Sequence, residues 1–204
     1  MSIQTDIEVT LTDRNRVTAF FRLILVLPIL FWLASISPSA FSNNNSGLSE
    51  FSIIGASSFV LPIVLSLLFT GQYPSYLLTL NHALLELQTR IAAYVFLLTD
   101  RYPTIERNDS VAVIFPDVEG GKLLSRGMPL VKWFLAIPLY FVAILYYVGG
   151  VVATIIGWFS ILFTGKLPES VGRYLVDLIA FSNNVSAYAF VLVTDKYPSF
   201  RLGE

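Results

Sequence analysis

Long apolar runs separated by short polar segments set the first expectation. The runs lie at about 17–36, 51–69, 129–147 and 149–163. Roughly 20 apolar residues cross a hydrocarbon core about 30 Å thick, so these runs predict transmembrane helices. Arg22 and Lys132 each sit about one turn inside a run, where a long cationic side chain can snorkel toward the headgroups. Pro28 and Pro138 follow six residues later and predict kinks. The polar stretch Ser37–Glu50 predicts an outer loop. Its counterpart in the second half shrinks to little more than Gly149-Gly150.

Two other segments carry a different pattern. Over Ser75–Thr99, the polar residues Thr79, His82, Glu86, Thr89 and Arg90 recur at steps of three and four, with Leu80, Leu84, Leu87 and Ile91 on the other side. That spacing predicts an amphipathic helix lying in the membrane interface, with a solvated polar face. Residues 169–193 open with Glu169, Arg173 and Asp177 and predict a second helix of this kind. Apolar–polar alternation at Ile7–Leu11 and Val111–Phe115 predicts two short strands.

The pattern is a repeat. Leu67-Leu68-Phe69-Thr70-Gly71 returns as Ile161-Leu162-Phe163-Thr164-Gly165, and Thr99-Asp100-Arg101-Tyr102-Pro103 returns as Thr194-Asp195-Lys196-Tyr197-Pro198. The expected fold is an all-α membrane protein of two tandem parallel repeats, 1–107 and 108–204. Each repeat has two transmembrane helices, one interfacial amphipathic helix and a short cytoplasmic strand.

Composition sharpens this picture. The 204 residues are 55% hydrophobic and only 13% charged, with a mean hydropathy of +0.69, whereas soluble domains carry about a quarter charged residues. With two spans per repeat, all 13 Lys and Arg fall on one side of the membrane. The positive-inside rule then puts both termini in the cytoplasm. A net charge of −1 gives no reason to expect nucleic acid. The chain has no cysteine and one histidine, His82, so no metal site or cofactor is expected. No phosphate loop, nucleophile elbow or paired-carboxylate motif is present, so neither catalytic residues nor an enzyme are expected.

Leu124-Ser125-Arg126, the run Val131–Pro138, Trp158–Gly165 and Thr194–Pro198 together resemble a bacterial integral-membrane family classified only as a domain of unknown function. The likeness is strong in the second half. It is weaker in the first, which lacks the tryptophan and has the long outer loop. The resemblance implies a multi-pass protein of the bacterial cytoplasmic membrane and no assigned activity.

Candidate sites follow from the repeated phrases. Arg22, Lys132, Arg101, Lys196, Tyr102 and Tyr197 suit a lipid-headgroup or partner site at the membrane surface, or turns and anchors of the fold itself. Gly149, Ala153 and Gly157 form a small-residue stripe suited to close helix packing, inside the chain or against a partner helix. The expected role is a non-catalytic accessory or scaffolding subunit that binds lipids and docks onto other membrane protein subunits. The alternative is a small channel or facilitator for a neutral solute, with Ser57, Ser58, Ser66, Thr154 and Ser160 along its path.

Overall fold

An apolar helix with no polar side is positioned by whichever narrow stripe packs tightest. The computed structural model describes residues 3–36, 51–106, 110–125 and 127–203, with backbone alone for 34–36 and 51–59. The expected outer loop Ser37–Glu50, Arg126 and the side chains of Ser57 and Ser58 lie outside these residues. Helix α1 (Arg16–Ile36) buries Ala19, Arg22, Val26 and Ile29. Phe20, Leu23, Ile24, Leu27 and Phe31 stay exposed on its other sides. Its buried stripe lies on Leu87, Ile91 and Tyr94 of α3 (Ser75–Val95).

The second half repeats this arrangement. Helix α4 (Met128–Leu135) leads through Ala136 into α5 (Ile137–Thr164), and the buried stripe is Lys132, Ala136 and Leu139. α5 runs antiparallel along α6 (Glu169–Ser186). Tyr146 meets the Phe181 ring, Gly150 faces Leu178, and Gly157 faces Leu167 and Val171. Helix α2 (Phe51–Phe69) packs on α4 and on a π-helical turn at Ala187–Val191.

Three layers result. The apolar helices α1, α2, α4 and α5 form the outer one. Helices α3 and α6 form the middle layer, tied by hydrogen bonds between Thr89 and Asn183. The third layer is the antiparallel pair β1 (Gln4–Ile7) and β2 (Val111–Ile114), with Gln4 opposite Ile114 and Ile7 opposite Val111. His82 on α3 donates from Nε2 to the Val113 carbonyl at 2.6 Å and sets its ring against Phe115, which fixes the strands to the middle layer.

Several expectations need correction. No turn interrupts Gly149-Gly150, because α5 is one helix of 28 residues. The glycines serve packing instead: a Cβ on Gly149 would lie 2.3 Å from the Tyr174 hydroxyl, and one on Gly150 2.4 Å from Leu178. The third and fourth expected spans are therefore a single element preceded by α4. By length and composition, two helices could cross a membrane, over Arg16–Leu33 and Ile137–Thr164, and Val60–Phe69 is a shorter apolar helix.

The first strand starts and ends earlier than its alternation suggests. Beyond Ile7 the chain bonds to three different partners, through Glu8 N to Ser110 O, Thr10 N to Leu98 O, and Leu167 N to Leu11 O. The interfacial helices also stop short of 99 and 193, each at a leucine with positive φ, Leu97 (63°) and Leu192 (61°). Finally, the polar stripe of α3 is not a solvated face. Glu86, Thr89 and Arg90 are buried, and Arg90 donates to the carbonyls of Thr104 (2.8 Å) and Glu106 where the following segment folds back over it.

The small-residue stripe lies against α6, where a Cβ on Gly157 would already approach Leu167 to 2.9 Å. Gly157→Leu should therefore lower stability by about 1–3 kcal/mol through overpacking. Ile156→Leu, on the exposed side, should leave it unchanged. Thermal unfolding in detergent micelles compares the two.

Candidate membrane-surface site

The end of an α-helix leaves carbonyls without partners, and cations near it are favoured by its dipole. Both middle-layer helices end this way. After α3, the left-handed Leu97 turns the chain, and Arg14 reaches in to donate to Leu97 O (2.5 Å), Leu98 O (3.1 Å) and Thr10 O (2.9 Å). Arg22 donates to Tyr94 O at 2.6 Å, lies 4.4 Å over the Tyr94 ring, and pairs with Asp100. Arg14 stands 3.1 Å from the same carboxylate.

After α6 the design recurs with one cation. Leu192 turns the chain, Lys132 donates to Thr194 O at 2.7 Å, and it lies 5.3 Å from the centre of the Tyr188 ring. Its ammonium pairs with Asp195 at 2.7 Å. The second oxygen of each aspartate accepts a backbone amide, Asn15 N at 3.2 Å for Asp100 and Ser125 N at 2.7 Å for Asp195.

The rest of the repeated phrases is explained by the same turns. Thr99 and Thr194 accept the amides two residues on, Arg101 N and Lys196 N. Thr70 and Thr164 donate to the carbonyls of Ser66 and Ser160 and accept the amides of Gln72 and Lys166. Gly71 and Gly165 hold positive φ of 66° and 73°, the left-handed conformation that ends α2 and α5.

Burial sets the electrostatics. Desolvation pulls the Arg14 guanidinium down to about 10 although Asp100 opposes it, so it remains charged at neutral pH. Burial alone would raise the Asp195 carboxyl. The Lys132 ammonium and the Ser125 amide outweigh it and hold the pKa below the usual carboxylate value. Tyr73, buried and donating to Val191 O, is pushed up to about 12 by desolvation.

Arg22 and Lys132, expected among the lipid contacts, are 2% and 0% exposed and point inward. A cation spent on a helix terminus and a carboxylate cannot also hold a headgroup. Arg101 and Lys196 are exposed, Arg101 lying 3.8 Å from Glu8. Tyr102 packs edge-on to Tyr94, and Tyr197 edge-on to Tyr188 while donating to Leu135 O. Sequence reasoning missed Arg14 and both aspartates as partners of the buried cations. The available signal was that each half carries one cation inside its first apolar run and one aspartate just after its amphipathic helix.

Between α1 and α5 lies a cleft of about 280 Å³, walled by Phe20, Leu23, Ile155 and Trp158 with Arg22 and Thr154 on its lining. Among the described residues, no three acidic or histidine side chains converge as a metal site would need. The geometry is that of a polar platform bearing an apolar helical layer, two of whose helices are long and apolar enough to cross a membrane. Residues 128–201, from the start of α4 to just past Tyr197, match the family described as Domain of unknown function (DUF4389). No curated protein and no solved structure matches the chain.

Removing Asp100 leaves two buried cations uncompensated, whereas removing Asp195 leaves one. Asp100→Ala should cost about 3–5 kcal/mol, and Asp195→Ala less, in denaturant titrations of micellar protein. The acid limb should also differ. Because its folded pKa is depressed, Asp195 stabilises fully above its unfolded value of about 3.9 and loses that contribution as pH falls through the lower folded value. Asp195→Asn should flatten that part of a Tm–pH profile.

Proposed function

We propose that the chain is a non-catalytic accessory or scaffolding subunit of the bacterial cytoplasmic membrane, which holds lipid on its apolar layer and docks onto a larger membrane assembly. The observation that carries this reading is the outer layer. Along α1 beyond Arg16, the described part of α2, α4 and α5, large apolar side chains such as Phe31, Phe69, Phe134, Phe141 and Phe163 are exposed, and no charged side chain is exposed among them. A surface like this is tolerated in hydrocarbon and not in water. Among the described residues, the exposed basic side chains Arg101, Lys122, Lys166, Arg173, Lys196 and Arg201 lie outside the apolar-layer helices, which supports both termini in the cytoplasm.

The two halves read best as tandem copies in the same orientation. Their support is the matched pairs Arg22/Lys132, Tyr94/Tyr188, Leu97/Leu192 and Asp100/Asp195, and the antiparallel pairing of one strand from each half. The channel alternative draws less support, because Ser66, Thr154 and Ser160 spend their hydroxyls on nearby backbone carbonyls.

Solubilisation from native membrane in mild detergent, followed by mass spectrometry, tests the role. Bound phospholipid together with a stoichiometric partner protein is the expected result. A lipid-free monomer without a partner would refute it.

A further inference from the structure

A helix that crosses a bilayer tolerates polar neighbours at its two ends but not abreast of its middle, where exposed charge and open strand edges meet hydrocarbon. The 28 residues of α5 span about 42 Å at 1.5 Å per residue, so its middle lies near Gly150. α6 covers that middle. The Tyr146 ring meets Phe181, and Gly157 meets Val171. On the far side of α6, two positions on from Phe181, Asn183 donates to Thr5 at 3.1 Å. Likewise Gly172, next to Val171, faces Val9 and Leu11. The segment from Thr5 to Leu11 thus runs abreast of α5 from about 146 to 157, and it carries exposed Asp6 and Glu8. Asp177, midway along α6, shares an open pocket with Ser199 and Arg201 at the same level.

Helix α1 is placed the same way. Val26 and Ile29 lie on Ile91 and Leu87 of α3. The adjacent Arg90 is covered by Thr104 and Glu106, both exposed. If either helix stood across the membrane, these carboxylates would be carried to its centre.

We infer that α1 and α4–α5 lie in the plane of the cytoplasmic leaflet rather than across the bilayer. Their outer faces sit among its acyl chains, the middle layer lies at headgroup level, and the strand pair lies in the cytosol. The rim fits a leaflet of anionic phospholipid. Exposed Arg16 opens α1, exposed Lys166 follows α5, and exposed Arg101 and Lys196 adjoin the aspartates that hold α1 and α4. The inference rests on the membrane-embedded reading above and seats in one leaflet the two helices, α1 and α5, that are long enough to cross.

The cysteine-free chain permits a direct test. Phe141→Cys, Val152→Cys and Phe163→Cys change exposed residues near the start, middle and end of α5. Each variant is labelled with bimane and reconstituted in phosphatidylcholine–phosphatidylglycerol vesicles. Quenching is then compared between lipids carrying a nitroxide near the glycerol and lipids carrying it near the chain terminus. Equal shallow-to-deep quenching ratios at all three positions are expected. Deep quenching at Val152 with shallow quenching at Phe141 and Phe163 would overturn the in-plane seat while leaving membrane embedding intact. No quenching at any position would overturn the embedded reading as well.

Discussion

Two helix ends, each closed by a buried cation, hold the layers together. Arg22 from the apolar layer bonds to Tyr94 O in the last turn of α3, Lys132 bonds to Thr194 O just past the turn that follows α6, and an aspartate beyond each helix completes the neutralisation. In the first half Arg14 adds a second cation, tying the N-terminal segment to the same point. A buried charge removed from water is costly unless it is paired and fully hydrogen-bonded. These contacts therefore leave little freedom in how α1 and α4 seat on the platform. The long stripes of apolar contact along α3 and α6 then follow.

The same economy explains the repeated phrases. Threonine, glycine, aspartate and tyrosine recur because each performs one part of ending a helix and reversing the chain. The hydroxyl accepts an amide, the glycine takes the left-handed turn, the aspartate meets the cation, and the tyrosine packs on the ring beneath that cation. What remains outward at these turns is Arg101 and Lys196, so any headgroup chemistry belongs to the cations that the fold leaves free.

Much of the secondary structure was legible from hydrophobic pattern alone. The bounds of α1 and α2 agree with the apolar runs, since a run without polar breaks has few other places to start or stop. The Gly149-Gly150 turn was misread because glycine weakens a helix by only about 1 kcal/mol, which close packing on Tyr174 and Leu178 readily offsets. The polar stripe of α3 was misread because periodicity says which residues share a face. It does not say that the segment after Pro103 folds back and buries Glu86 and Arg90.

The sequence by itself determined that this protein carries helices long and apolar enough to cross a membrane and where most of its helices lie, because both depend on local composition and short-range periodicity. It also carried every residue of the two cation sites. Only the tertiary structure decided that Arg22 meets Asp100 across 78 positions of chain and that Lys132 meets Asp195. It alone laid α5 flat along α6 with the strands beyond. Partners that far apart in sequence are chosen by packing and by the cost of burying charge, and neither quantity can be read from one segment at a time.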